Sequence, residues 1–132
     1  MEVVRSFYAY LNQNDWDGIA SLTTPDFAWH TASGIAATRI WRGVEAARDW
    51  WNSEVAESWD LAKSRDEIEE VFDADPFVVV AVRSLDFGRR SGVPVESRIA
   101  ALFELRRGKI ARLQVYRNLR DARDAAKRGP QG

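Results

Sequence analysis

The first third of the chain has apolar residues at helical spacing. The pattern predicts a first helix whose apolar face is made by Val4, Phe7, Tyr8 and Leu11. It breaks at residues 12–14, after which Asp15 can cap a short second helix that Thr23-Thr24-Pro25 ends. From Val44 a third helix is predicted, with these residues directed inward: Ala47, Trp50, Trp51 and Val55.

A short strand is predicted at residues 26–31, between the second and third helices. Residues 32–42 have the composition of a loop, with Gly34 and Gly43 as breakers. Residues 61–72 are compatible with a charged strand, although the segment Asp66–Glu70 fits a helix equally well.

The second half of the chain changes to the alternation of strands. Turns are predicted at residues 73–76, 88–94 and 106–109, and strands at 77–87, 95–105 and 110–117. Turns this short pair consecutive strands antiparallel. Within 77–87 both alternating sets are apolar, so the pattern leaves open which face Arg83 occupies. Asn118 is predicted to cap a last, polar helix.

Helices followed by a strand meander indicate an α+β domain over residues 1–128, with a tail at 129–132. A twisted sheet with helices on one face encloses a volume between the two layers. Pockets of this kind are usual ligand sites. We therefore expect a strongly curved antiparallel sheet, three N-terminal helices packed on it, a short C-terminal helix, and an apolar pocket between the layers.

Composition narrows the function classes. The 132 residues include no cysteine, which excludes disulfides and thiolate sites and suits a cytoplasmic location. The one histidine gives no reason to expect a metal, and we expect no cofactor. A net charge of −1 and the absence of a basic stripe argue against nucleic acid, and the lack of a long apolar run argues against a membrane span. Six tryptophans favour a lined cavity or an interface.

Four segments resemble the nuclear transport factor 2-like superfamily, and within it the SnoaL-like, polyketide cyclase-like group. They are Phe7-Tyr8-x-x-Leu11-x-x-Asn14-Asp15-Trp16, Thr24-Pro25-Asp26-Phe27-x-Trp29, Trp41-Arg42-Gly43-Val44-Glu45-Ala46 and Phe103-Glu104-Leu105-Arg106-Arg107-Gly108-Lys109-Ile110. The resemblance spans roughly the whole chain and implies a cone-shaped fold. This fold carries isomerases, cyclases, hydrolases and non-catalytic binding proteins, so it implies no single activity.

The acids and bases of better-known relatives are missing at the positions that match them. An ungapped placement of the ketosteroid isomerase pattern puts Phe7, Thr31 and Ala101 where those enzymes have a tyrosine, a base and an acid. The limonene epoxide hydrolase pattern puts Val115 where an aspartate is required. A catalytic role would therefore need a different set of polar residues.

Three residues are candidates for that set: His30, Tyr10 and Arg117. His30 titrates near neutrality, but strand alternation sends it to the outer face if Trp29 and Thr31 face the pocket, where it would be an interface histidine. Arg117 follows Leu113 and Val115 along one face and could orient an anionic group, or form a salt bridge at the end of the sheet. The hydroxyl of Tyr10, like that of Tyr8, could donate a hydrogen bond to a ligand, or both could be helix-face aromatics with a wet tip.

The patterns and the resemblance together suggest which side chains line the pocket: Phe7, Tyr8, Leu11, Trp29, Thr31, Trp51, Ser97, Ile99, Ala101, Leu113 and Val115. The favoured function is binding of a small hydrophobic molecule, with proton transfer of the isomerase or cyclase type as its catalytic form. The alternative is a non-catalytic accessory module that recruits a partner through its sheet. A homodimer is expected in either case.

Overall fold

The computed structural model describes residues 2–31 and 39–129. Its helices are α1 (Glu2–Asn12), α2 (Trp16–Leu22), α3 (Val44–Trp50), α4 (Ala56–Ser58) and α5 (Leu119–Arg128), with a π-helical turn at Trp51–Val55 that joins α3 to α4. Both predicted caps are confirmed, since the Asp15 carboxylate accepts from the Gly18 amide at 3.0 Å and the Asn118 side chain accepts from the Asp121 amide at 2.8 Å. No helix in these two ranges is long and apolar enough to span a bilayer.

Within the described residues, six strands form one curved sheet in the order β2-β1-β6-β5-β4-β3. Their bounds are β1 (Thr23–His30), β2 (Ile40–Arg42), β3 (Arg65–Ala74), β4 (Phe77–Phe87), β5 (Pro94–Arg106) and β6 (Lys109–Tyr116). The meander from β3 to β6 is antiparallel, as expected, whereas β1 pairs with β6 in parallel. The ambiguous segment 61–72 forms most of β3.

The predicted loop at residues 32–42 is partly a strand. Ile40–Arg42 pairs with β1, where Trp29 lies opposite Trp41, and so extends the sheet by one edge strand. A three-residue edge strand carries too little alternation for a sequence pattern to reveal it. The rest of the predicted loop, residues 32–38, lies outside the described residues.

The sheet has apolar cores on both faces. On the inner face, α1 packs its predicted apolar stripe against Val78, Val80, Val82, Ala101 and Phe103. On the outer face, Ala122 and Ala125 of α5 pack against a second set, which is Phe77, Val79, Ala100, Leu102 and Tyr116. The chain therefore has the α+β cone architecture, with the N-terminal helices inside the curve and the C-terminal helix behind it.

Candidate functional site

A cavity of about 300 Å³ lies between α1, the helical segment that begins with α3, and the inner face of the sheet. Its apolar lining is Phe7, Leu11, Trp29, Trp50, Trp51, Val55, Trp59, Leu61, Ile99, Leu113 and Val115. Its polar lining is Tyr8, Asn12, Thr31, Ser64, Arg65, Asp66, Ser84 and Asp86. The volume is at the lower end of the range that small-molecule sites occupy, and the mainly apolar lining with a few polar groups is typical of them.

Tryptophan rings make up much of the cavity wall. The Trp29 ring contacts Trp50 at 5.6 Å and Trp51 at 5.7 Å between centroids, and Trp50 and Trp51 meet edge to face at 5.9 Å. Edge-to-face and tilted contacts at these distances are favourable, because the ring edge of one residue faces the electron-rich face of another. The wall is therefore braced by its own ring contacts.

Trp50 and Trp51 both reach the cavity, although adjacent residues on a regular α-helix point about 100° apart. The π-helical turn Trp51–Val55 begins at the second of them and changes the spacing there. Such turns occur frequently at functional sites.

Two carboxylates and a serine form the polar part of the wall. The Ser84 hydroxyl lies 2.6 Å from Oδ1 of Asp66 and 3.1 Å from Oδ2 of Asp86. Asp66 of β3 lies directly opposite Ser84 of β4, and Asp86 follows Ser84 by two residues on the same strand. Strand pairing and alternation thus bring all three side chains to one point of the inner face.

The protonation of this group follows from its surroundings. Burial raises the pKa of Asp66 above its usual range, and the neighbouring Asp86 charge raises it further, against the hydrogen bond from Ser84. Burial likewise raises the pKa of Asp86. A hydroxyl has one proton to donate, so both contacts to Ser84 are best kept when one carboxyl is protonated and donates back. The pair is suited to accept and release a proton.

Asn12 fixes the position of Asp66. Its amide donates to the Asp66 carbonyl at 2.9 Å and accepts from the Asp66 backbone N–H at 2.8 Å. These two bonds satisfy the backbone of β3 at its free edge and tie it to the C-terminal end of α1. The Asp66 side chain is therefore held by both its backbone and Ser84.

Tyr8 contributes a hydroxyl that makes no hydrogen bond within residues 2–31 and 39–129, although the residue is 93% buried, with a relative exposure of 7%. Burial raises its pKa well above the usual value of 10.0, and the Asp66 charge adds to this effect. The phenol stays protonated at neutral pH and is a free donor beside the carboxyl pair.

Nine of the eleven side chains suggested for the pocket line the cavity, all except Ser97 and Ala101. Ser97 lies directly opposite Ser84 in the register, but it is exposed where β5 extends into solvent. Ala101 is buried in the inner core next to its strand partner Val80. Whether the nine bind a ligand stays a prediction.

The three candidate catalytic residues lie away from the cavity. His30 is half-buried on the outer face, where burial and the nearby cations of Arg112 and Arg42 lower its pKa. The Tyr10 ring packs over Gly18 of α2, at the place that a side chain on that glycine would fill. Arg117 is exposed in the link between β6 and α5, because the inward alternation ends with the strand at Tyr116.

Sequence reasoning missed Asn12, Asp66, Ser84 and Asp86. One signal for the last two was present: every second residue from Val78 is apolar until Ser84 and Asp86 continue the same stripe with polar groups. This change from apolar to polar was hard to recognise because the residues on the other face of β4 are apolar too, since they pack against α5. Asp66 was obscured because residues 66–70 fit a helix as well as a strand.

Comparisons with solved structures place the fold among known proteins. The chain superposes on a nuclear transport factor 2 (NTF2)-like protein of unknown function from Burkholderia pseudomallei with a TM-score of 0.77, 15% identity and 92% of each chain covered. A protein with a ketosteroid isomerase-like fold from Catenulispora acidiphila, in complex with trimethylamine, gives 0.73 and 19%, with 89% of this chain and 86% of that one covered. TerC co-crystallised with polyporic acid gives 0.73 and 18%, with 96% of each chain covered. At these identities the likeness concerns the fold.

No curated protein matches the sequence. The family model of the SnoaL-like domain, in contrast, matches residues 4–113. This range runs from the start of α1 into β6 and includes every residue of the Asp66–Ser84–Asp86 group together with Tyr8 and Asn12. The chain therefore belongs to the SnoaL-like family.

Proposed function

We propose that the protein binds a small, mainly apolar organic molecule in the cavity and catalyses proton transfer on it, with Asp66 as the general acid–base. The observation that carries the proposal is the hydrogen-bonded Asp66–Ser84–Asp86 group in an aromatic cavity wall. A catalytic carboxyl works best when its pKa is raised towards the working pH, and burial acts on Asp66 in that direction.

The proposed step uses a carbonyl compound with an acidic C–H bond. The Asp66 carboxylate removes the proton, the electron pair of the C–H bond moves into the carbonyl group, and negative charge develops on its oxygen. Tyr8 donates its free hydrogen bond to that oxygen and stabilises the enolate. Asp66 then returns the proton to the same carbon, which gives an exchange, or, where a C=C bond of the substrate adjoins the enolate, to the far carbon of that bond, which gives an isomerisation; neither involves net oxidation.

This assignment replaces the earlier candidates with residues at the cavity. Tyr8 takes the donor role considered for Tyr10, and Asp66 takes the base role considered for His30. Tyr8 and Asp66 come from α1 and β3, two elements that the Asn12 hydrogen bonds hold together. Proteins of this fold that have been crystallised with trimethylamine and polyporic acid support a role in small-molecule binding.

Deuterium exchange into 2-tetralone tests the proposal, since this apolar ketone has acidic α-protons that can be followed by NMR in D₂O. We expect exchange above the buffer rate, lowered about 100-fold or more by Asp66→Asn, which is the range that general acid–base catalysis contributes. The control is Asp73→Asn, the same change at an exposed position of the same strand. Equal exchange rates for Asp66→Asn and the wild type would overturn the proposal.

A homodimer through the outer face remains part of the proposal. Arg112 on that face is largely buried, lies 3.5 Å from Glu104, and has Nε and Nη2 without hydrogen bonds among the described residues. Buried guanidinium groups need acceptors. These two nitrogens are enclosed by the chain itself, so a second copy covering β1 and β6 would supply an acceptor for the third, Nη1, which is not enclosed. Sedimentation should give a dimer that Arg112→Glu disrupts; a wild-type monomer at micromolar concentration contradicts this.

A cytoplasmic location is likewise our proposal.

A further inference from the structure

The cavity lining contains two carboxylates and one basic residue. The carboxylates are those of Asp66 and Asp86, and neither forms an ion pair with a basic residue within the described parts of the chain. The one basic lining residue is Arg65, whose neighbour in the register is Leu85, whereas Asp66 lies opposite Ser84. The Arg65 side chain therefore belongs to the outer face, where its guanidinium lies 3.5 Å from Glu67 and is 58% exposed.

The walls around these carboxylates are suited to a positive charge. Trp29, Trp50, Trp51 and Trp59 line the cavity, and tryptophan attracts cations more strongly than any other aromatic side chain. A neutral ligand would leave the negative charge of this carboxyl pair without a counter-charge, which is costly in a partly buried, apolar site. A cation with apolar substituents would satisfy the carboxylates and the rings together.

Tyr8 supplies a hydrogen-bond donor to the same space. The residue is 93% buried, lines the cavity, and has a hydroxyl without a hydrogen-bond partner in the described chain. The hydroxyl oxygen is itself open to the cavity, so a polar atom of a bound molecule can accept from it.

We propose that the ligand is an organic ammonium compound, with its cationic group between Asp86 and the tryptophan rings. This inference rests on the proposed function and names its substrate class. Asp86 is the less buried of the two carboxylates and holds the charge, while the more deeply buried Asp66 remains available for proton transfer. The Tyr8 hydroxyl donates to a carbonyl or hydroxyl oxygen elsewhere on the same molecule.

A matched pair of probes isolates the charge. Choline and 3,3-dimethyl-1-butanol have nearly the same shape, and differ in that a quaternary nitrogen replaces a quaternary carbon. Isothermal titration calorimetry at neutral pH should give at least tenfold tighter binding of choline to the wild-type protein. Asp86→Asn should lower choline affinity about tenfold or more and leave the alcohol unchanged. Asp73→Asn, at an exposed position, should change neither affinity.

A second variant guards against misfolding of the first. Trp51→Leu keeps an apolar side chain but removes the ring, and should reduce the preference for choline over the alcohol while the alcohol still binds. Equal affinities of the two probes for the wild type, tighter binding of the alcohol, or no binding of either probe overturns the ammonium inference. An equal loss of both probes in Asp86→Asn also overturns it. The 2-tetralone exchange is an independent readout, so proton transfer can persist when the ammonium inference fails, and the reverse.

Discussion

Along the inner face of β4, the first half packs Val78, Val80 and Val82 into the core, whereas the second half presents Ser84 and Asp86 to the cavity. Both halves follow one alternation and pair with β5 in continuous register. The pairing with β3 shifts by one residue between Ile68 and Glu70, beside Val82, where the two halves meet. The two halves also differ in what packs on them. The aromatic residues of α1 cover the first half, where the ring centroid of Phe7 lies 5.4 Å from that of Phe103 on β5.

This contrast separates two requirements that a curved sheet has to meet. The closed half stabilises the domain by burying apolar area, at roughly 25 cal/mol per Å². The open half keeps two carboxylates out of bulk water, which opposes folding unless they are hydrogen-bonded or neutralised. The first half makes the second half possible, since a stable core can tolerate a polar group that a marginal one could not.

Placing a carboxylate in the closed half should have the largest effect. Val80 is fully buried and has no polar neighbour of the kind that Ser84 provides for Asp86. Val80→Asp should therefore cost about 4 kcal/mol or more of unfolding free energy in urea titrations, because it buries an unpaired charge. Val93→Asp, at a valine that is 55% exposed, should stay within about 0.5 kcal/mol of the wild type. Equal losses in the two variants would contradict the contrast.

The closed half was largely predictable from the sequence. The stripe of α1 falls on buried positions because apolar side chains at helical spacing have one way to leave water. The strands and turns of the meander were predicted for a similar reason, since the turn residues at 73–76 and 106–109 stop each strand within two residues of its end in the structure.

The open half was less predictable, for physical reasons. An acidic residue can face either solvent or a cavity. Residue type alone therefore does not distinguish Asp66 and Asp86 from surface acids such as Glu67. The two aspartates form a site because two neighbouring strands bring them together: the hydrogen bond between Ser84 and Asp66 joins residues that are 18 positions apart in the sequence. Single-sequence alternation contains no register between strands, and a one-residue slip would reverse every face.

Removing the shared hydroxyl sharpens the contrast at its polar end. Ser84→Ala removes the hydrogen bonds to Asp66 and Asp86, and should cost about 1 to 3 kcal/mol, because partly buried carboxyl oxygens lose their donor. The pKa values of both carboxyls should rise, since the serine bond lowers them in the wild type. Ser97→Ala is the matched control, because Ser97 lies opposite Ser84 but is exposed. Similar denaturation curves for the two variants would show that the hydroxyl is not part of the group.

The pH dependence of stability separates Asp66 from a surface carboxylate. Because its folded-state pKa lies above the usual 3.8, Asp66 opposes folding increasingly as pH rises through that raised pKa. Asp66→Asn should therefore melt higher than the wild type at pH 7 to 8, and the difference should shrink as pH falls to about 4 or below.

Asp26→Asn supplies the opposite sign for the same substitution. Hydrogen bonds from Thr24 and Arg106 lower the pKa of Asp26, so its carboxylate favours folding above pH 4 and that variant should melt lower at neutral pH. If melting curves collected from pH 3 to 8 give both variants the same sign of change, the burial of Asp66 has no energetic consequence.

The smallest effect is expected on the opposite face of the same strand, at Arg83. This residue lies between the two halves and pairs with Glu67 at 2.8 Å and Glu96 at 3.0 Å, where its side chain is 34% exposed. Exposed ion pairs contribute about 0 to 1 kcal/mol, so Arg83→Gln should fall in that range in urea titrations, and the difference should shrink in high salt. Because the side chain projects away from the cavity, 2-tetralone exchange should keep its wild-type rate. Arg98→Gln, on the same face, is the control. If Arg83→Gln lowers the exchange rate and Arg98→Gln does not, the ion pairs of Arg83 set the geometry of Ser84, and the two faces of β4 are not independent.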